Sequence, residues 1–320
     1  MSIDDSTDHS QMRHQPTVRW QVGLALAVVT VVLWSTVPIA LSLLLDKMDA
    51  ITISWYRFLV AAVILVVLLR AKGTLPPLEK LRSRSILGLI VIAAVGLTAN
   101  FVLYVYALNF IPPGAAPVIY QLAPLLVLLG GVVLFKESFR PVQWVGCLSL
   151  IAGLLLFFNR RINEFAFGLT DYWFGAMLLV LAAVLWAAYA LAQKQLLRVY
   201  SPSGIMLLLY SLGVLMMLPL CSPMQIGELS AEQYFVLAYL CGNALIGYGC
   251  FAEALKHWEA SRVSAVTATN PLLALGLAHA AGSIWPERIV RDELNRIVIL
   301  GAVLVVGGAA LTALGGRQRI

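Results

Sequence analysis

The chain has 320 residues, of which 61% are hydrophobic and 12% charged, and a formal net charge of +6. A soluble domain carries about 25% charged residues, and no Asp, Glu, Lys or Arg occurs from Ser85 to Phe135. A water-soluble fold is therefore excluded in favour of a polytopic membrane protein, and the basic excess reads as orientation in a bilayer, not as a nucleic-acid footprint.

Residues 1–19 are polar and are expected to form a disordered cytoplasmic tail. The apolar run that begins at Trp20 is too long for the core of a signal peptide and reads as the first span. Ten segments hold the roughly 20 residues that cross about 30 Å of hydrocarbon. They lie near 20–45, 51–70, 86–110, 114–135, 141–158, 172–193, 203–221, 233–256, 262–284 and 297–314. Continuous apolar runs without alternation predict helices, not a barrel. Pro76-Pro77, Pro112-Pro113-Gly114 and Arg140-Pro141 punctuate the breaks. A five-span unit at 20–158, a linker at 159–171, a second unit at 172–314 and a cytoplasmic tail at 315–320 follow. Cys147, Cys221, Cys241 and Cys250 lie in or beside apolar segments without metal-ligand spacing and are read as buried thiols.

With the N-terminus in the cytoplasm, 15 of the 22 Lys and Arg fall on that side and 6 on the other; Arg57 lies within a span. This bias puts both termini inside.

One stretch occurs twice. Tyr106–Leu129 aligns without a gap on Glu253–Gly276, so that Ala107-Leu108 falls on Ala254-Leu255 and Pro124-Leu125-Leu126 on Pro271-Leu272-Leu273. Gly23 and Leu33-Trp34 are spaced as Gly175 and Leu185-Trp186, and Gly146 parallels Gly301. An odd number of spans per unit makes the second unit enter the membrane from the opposite side. The expected fold is an all-α integral membrane protein of ten transmembrane helices in two inverted five-helix repeats, an arrangement that supports alternating access.

Candidate cavity residues are polar or aromatic groups placed inside these spans. Trp34 and Trp186 occupy matching positions and read as aromatic walls or as helix-packing residues; Tyr189 follows on nearly the same helix face as Trp186. Asn100 and Asn243 must face protein or water, because an unpaired amide in lipid is costly; helix-to-helix bonding and substrate contact both satisfy that. Tyr104, Tyr120 and Asn270 lie close to the repeated break. Arg57 either snorkels toward the headgroups or works in the interior on an acid or an anionic group. Glu253 and His257, four residues apart, are the titratable candidates for proton coupling. Pro124 and Pro271 each remove one helical hydrogen bond and predict corresponding kinks. Glu137 and Glu287 are read as structural groups at membrane edges.

The repeated stretch, with Tyr56-Arg57-Phe58-Leu59 in span two, Tyr104 to Phe110 before Pro112-Pro113-Gly114-Ala115, the pairs Ala123-Pro124 and Asn270-Pro271, and the closing Lys136-Glu137-Ser138-Phe139 and Pro286-Glu287-Arg288-Ile289, resembles the EamA-type group of the drug/metabolite transporter superfamily. Two departures stand out: neither proline follows a Glu, and the second closing element lacks its Gly. The resemblance implies ten helices in two EamA repeats around a central cavity, and export of amino acids, metabolites or drugs. The expected function is a secondary transporter exporting small metabolites, amino acids favoured, across the bacterial inner membrane; broad efflux of drugs or apolar compounds is the alternative. An integral-membrane enzyme or a receptor fits less well, because the four His form no metal pattern and the loops are short. The partners implied are a small-molecule metabolite, the lipid bilayer and a proton or counter-substrate, with no cofactor.

Overall fold

The computed structural model describes residues 20–136, 140–159, 170–258, 260–290 and 294–315. The N-terminal tail, Glu137, residues 160–169 of the linker and residues 316–320 of the C-terminal tail lie outside the described residues. The regular elements are helices: α1 (Trp20–Ser42), α2 (Ala50–Ala71), α3 (Arg84–Ala107), α4 (Ala115–Ile119), α5 (Leu122–Phe135), α6 (Pro141–Phe157), α7 (Asp171–Leu196), α8 (Pro202–Met217), α9 (Ala231–His257), α10 (Ala260–Thr267), α11 (Asn270–Ile284) and α12 (Arg296–Gly315). Two short 3₁₀ segments, Leu78–Arg82 and Pro223–Glu228, lie between spans.

Eight of the spans are long and apolar enough to cross a bilayer unaided, with α4–α5 and α10–α11 each forming one of them. Helices α6 and α8 are shorter apolar helices of 17 and 16 residues and complete the ten. The outward faces of the spans carry exposed Val67, Val133, Leu148 and Leu155, the surface that hydrocarbon covers in a membrane protein. The ends are fixed by polar caps. The Asp49 carboxylate accepts from the Ile51 and Thr52 amides at 2.9 Å, and Ser230 with Gln233 forms a capping box, each satisfying amides that the first turn leaves unpaired.

The helix contacts obey the inverted repeat. If each span is exchanged for the one five places away, the pairing of α1 with α9 becomes that of α7 with α3. The pairing of α1 with α11 likewise becomes that of α7 with the α4–α5 span, while α2 with α8 and α6 with α12 map onto themselves; all of these pairs are in contact. The closest seam is α6 against α12. A Cβ added at Gly153 would lie 2.7 Å from the Gly301 carbonyl, and one at Gly308 would lie 2.5 Å from the Gly146 carbonyl. Since Gly146 corresponds to Gly301, these two contacts are copies of each other. Small residues let the backbones meet where lipid gives no hydrophobic drive to association.

Gly23 and Gly175 show the same symmetry at the repeated breaks. A Cβ at Gly175 would lie 2.8 Å from Ile111 Cγ1, and one at Gly23 would lie 2.6 Å from Trp258 Cβ. Ile111 and Trp258 are themselves aligned positions of the repeat.

Candidate functional site

A cavity of about 600 Å³ lies between the two repeats. The spans around it are held in place by the polar groups that the bilayer would otherwise leave unsatisfied. The Asn100 amide donates to the Ala182 carbonyl at 2.9 Å and to the Tyr120 hydroxyl, fixing α3 to α7 and to the loop after α4. The Asn243 amide donates to the Leu33 carbonyl at 2.8 Å and to the Tyr239 hydroxyl at 2.9 Å, fixing α9 to α1. The Ser35 hydroxyl donates to Asn270 Oδ1 at 2.7 Å, which ties α1 to the start of α11. Tyr239 and Thr36 also share a short hydroxyl contact.

These bonds contain an exchange between the two halves. Extended toward the N-terminus, the alignment of the repeat sets Gly96 on Asn243 and Asn100 on Gly247. In α3, glycine comes first: a Cβ at Gly96 would meet the Leu185 carbonyl at 2.7 Å. In α9, asparagine takes that place and bonds Leu33, which corresponds to Leu185. One turn on, Asn100 bonds the Ala182 carbonyl. The matching Gly247 instead offers its carbonyl to the hydroxyl of Thr30, the counterpart of Ala182, at 3.4 Å. At Leu33 and Leu185 the two seams close on the same carbonyl position, one by an amide and the other by bare backbone contact.

The two repeated breaks meet at the cavity. Span four is interrupted between Ile119 and Leu122, and span nine between Thr267 and Asn270. The interruption is sharper than the kinks expected from Pro124 and Pro271. Both prolines lie in the first turn of a new helix, where a missing N–H costs no helical bond, and the chain before them is a tight turn closed by Ala123 N–H to Tyr120 O and Leu272 N–H to Thr269 O. The Gln121 side-chain amide donates to the Ala268 carbonyl at 3.3 Å. Gln121 and Ala268 are aligned residues, so the pseudo-two-fold axis passes between them.

The lining includes Trp34, Arg57, Asn100, Tyr104, Tyr120, Pro124, Trp186, Asn243 and Asn270. Trp34 packs edgewise over Gly247 and 5.7 Å from the Phe251 ring; Tyr104 and Tyr120 form a T-shaped pair at 5.1 Å. Arg57 is only 7% exposed. Its guanidinium carbon lies 4.9 Å from the centre of the Phe101 ring, so the side chain is directed inward and does not snorkel along the lipid face.

The sequence of residues 21–159 and again of 173–314 matches the profile of the EamA-like transporter family. The chain belongs to that family. The inner membrane transporter YhbE of Escherichia coli K12 is 39% identical over 296 residues, covering 92% of each chain, and a transporter of Haemophilus influenzae is 40% identical over 306 residues, covering 96% of this chain and 98% of its own. The aromatic amino acid exporter YddG of Ancylobacter novellus is 26% identical over 225 residues, covering 70% of this chain and 75% of its own. A crystal structure with 23% identity superposes with a TM-score of 0.60 over 94% of this chain and 98% of its own; at that identity the likeness is one of fold.

Within this EamA-like fold the expected residues divide. Tyr189 is not among the described lining residues. It is buried on the seam where Gly96 draws α3 against α7, and its hydroxyl donates to Met206 Sδ at 3.5 Å. Pro271 is buried beside the cavity without lining it. Glu253 and His257 pair at 3.4 Å near the end of α9 and are also outside the described lining. Glu287 is exposed in the turn before α12. Sequence reading missed Phe101, Gln121, Phe251 and Thr267 on the cavity wall. Two of them were within reach of the alignment, because Phe251 falls on Tyr104 and Thr267 on Tyr120.

Proposed function

We propose that this EamA-like transporter exports small metabolites, amino acids favoured, across the bacterial inner membrane by alternating access, with both termini in the cytoplasm. The observation that carries this reading is a cavity lined by both repeats whose two ends are sealed unequally. Toward the α3–α4 connection it is capped by a thick apolar cluster that includes Leu41, Met48, Ile53, Leu108, Ile111 and Val118. At the α9–α10 connection Leu255, Trp258 and Ala265, the counterparts of Leu108, Ile111 and Val118, are exposed or half-buried, while Tyr200 and Ile205, the counterparts of Met48 and Ile53, stay buried. There the lining reaches Ser264, Thr312 and Ala313, at the end of the bundle where α1 begins and α12 finishes. The basic bias of the sequence makes that end cytoplasmic, so the state described faces inward. The aromatic lining and the distant likeness to an aromatic amino acid exporter support the choice of amino acids.

Reconstitution into proteoliposomes tests the reading: saturable flux of labelled aromatic amino acids is expected. Absence of flux for every amino acid, with flux of apolar cations instead, would replace it by broad efflux. A second reading concerns energy. The Glu253–His257 pair lies two residues beyond the lining residue Phe251, a position suited to relaying a proton into the cavity. Glu253→Gln and His257→Ala should then each abolish the response of flux to a pH gradient; an undiminished response in both removes the pair from coupling.

A further inference from the structure

We propose that Arg57 seats the anionic group of the cargo, and that the cavity selects an amphipathic monocarboxylate with an apolar or aromatic body. The proposal rests on the cavity being the cargo site, as read above, and deepens it by naming the chemical class. Among the described lining residues Arg57 is the one charged side chain; Asn100, Gln121, Asn243 and Asn270 supply neutral amides, and no carboxylate faces the cavity. The lining therefore carries a fixed positive charge. A guanidinium stays protonated even when desolvated, so this charge does not titrate away.

An aromatic ring supports it. The Phe101 ring at 4.9 Å offers its negative face to the cation, while Phe101 is itself held edge-to-face on Phe58, which packs edge-to-face in turn on Tyr210, each at 4.9 Å. Arg57 is thus kept on an aromatic shelf. The planar fork of an arginine matches a carboxylate in bidentate fashion. One cation among neutral lining groups matches a single negative charge; a dianionic phosphate would bring a second charge into the same low-dielectric space. Trp34, Tyr104, Tyr120, Trp186 and Phe251 then provide flat apolar walls, and 600 Å³ accommodates a ring-bearing body of drug-like size. The lining holds only neutral oxygens for an ammonium group. An amino acid is accordingly held by its carboxylate, and the acid lacking the amine should bind at least as well.

The test uses the purified full-length protein in lipid nanodiscs and four isosteric probes: 3-phenylpropanoate, 3-phenylpropanamide, 3-phenylpropylammonium and L-phenylalanine. Calorimetry should find the propanoate bound at least about tenfold more tightly than the amide or the ammonium, with phenylalanine no tighter than the propanoate. Arg57→Gln should erase the preference for the anion, and Arg57→Lys should keep its order at reduced affinity. Asn270→Asp provides an independent variant, because its Oδ1 still accepts from Ser35; the added carboxylate should weaken propanoate binding about tenfold and favour the ammonium. The assignment is overturned if the amide binds within about threefold of the propanoate, if a folded Arg57→Gln retains the preference, if Asn270→Asp leaves the order intact, or if none of the probes binds. Flux separates this inference from the functional reading. Arg57-dependent binding of labelled propanoate without transport into proteoliposomes would sink export and leave the anion seat, whereas transport preferring the neutral or cationic probe would sink the seat and leave export.

Discussion

The two copies of the repeated break have nearly superimposable roles and different surroundings. In the first, Leu108, Ile111 and every residue from Pro112 to Ile119 are buried. In the second, Leu255 is 36% exposed, Arg262 is exposed and Ser264 to Val266 are half-buried. Sequence similarity without equal burial is what an inverted repeat produces when its two units hold different conformations. Under the proposed alternating access, the sealed end is where one repeat closes over the cavity and the other end is where its partner has not, and exchange of the two conformations would expose the cavity on the opposite side.

The largest expected effect probes this comparison at Gly175 and Gly23. Both face the same aligned position, but Gly175 faces Ile111 and Phe110 inside the thick cluster, whereas Gly23 faces Trp258 at the other end. Gly175→Val and Gly23→Val should each cost about 1–3 kcal/mol in thermal unfolding, because the added carbon would lie 2.8 Å from Ile111 Cγ1 in one and 2.6 Å from Trp258 Cβ, with the Trp258 amide nitrogen at 3.3 Å, in the other. A cost near zero at either glycine would mean that its end is not packed as described. Next comes access. Ile119 is 1% exposed and its counterpart Val266 is half-buried. With the four native cysteines replaced by alanine, Val266→Cys should react with a thiol reagent about tenfold faster than Ile119→Cys, and a cargo that draws the protein to its other state should narrow or reverse that ratio. Similar rates in both states would break the comparison.

The smallest effect concerns the seams. Asn243→Ala loses the bonds to Leu33 and Tyr239 and should destabilise by about 0.6–1.7 kcal/mol in detergent, the range found for bonds between spanning helices. Gly96 has only backbone at that place, so there the α3–α7 seam is sensitive to added bulk: Gly96→Ala should be the costlier of the two changes.

Much of this was legible in the sequence, and the limits have physical causes. Hydropathy fixes the number of spans because the bilayer demands about 20 apolar residues from each. Asn100 and Asn243 were legible as interior groups because lipid tolerates no unpaired amide, and Asn270 by its place at the repeated break. The greater polarity of Glu253–Gly276 against Tyr106–Leu129 was visible too, and the structure ties it to the less buried break. Facing was harder. Tyr189 shares a helix face with Trp186, yet the close approach of Gly96 takes it into a seam, a tertiary event with no trace in the spacing of α7. Arg57 could satisfy its charge at the headgroups or indoors, and only the position of Phe101 decides between them. The breaks at Pro124 and Pro271 read as bends, since proline alone says where a bond is missing and not whether a turn forms before it.

The contact between Gln121 and Ala268 has a consequence for motion. Under the proposed alternating access, exchange of the two halves would carry each of these positions onto the other's place, although the amide donor is on Gln121 alone. The crossing of the two breaks would then serve as a pivot common to both end states, whereas strain at Ile111 or Trp258 would tip the equilibrium toward one face. Rate and bias would accordingly be governed by residues on the pivot and away from it.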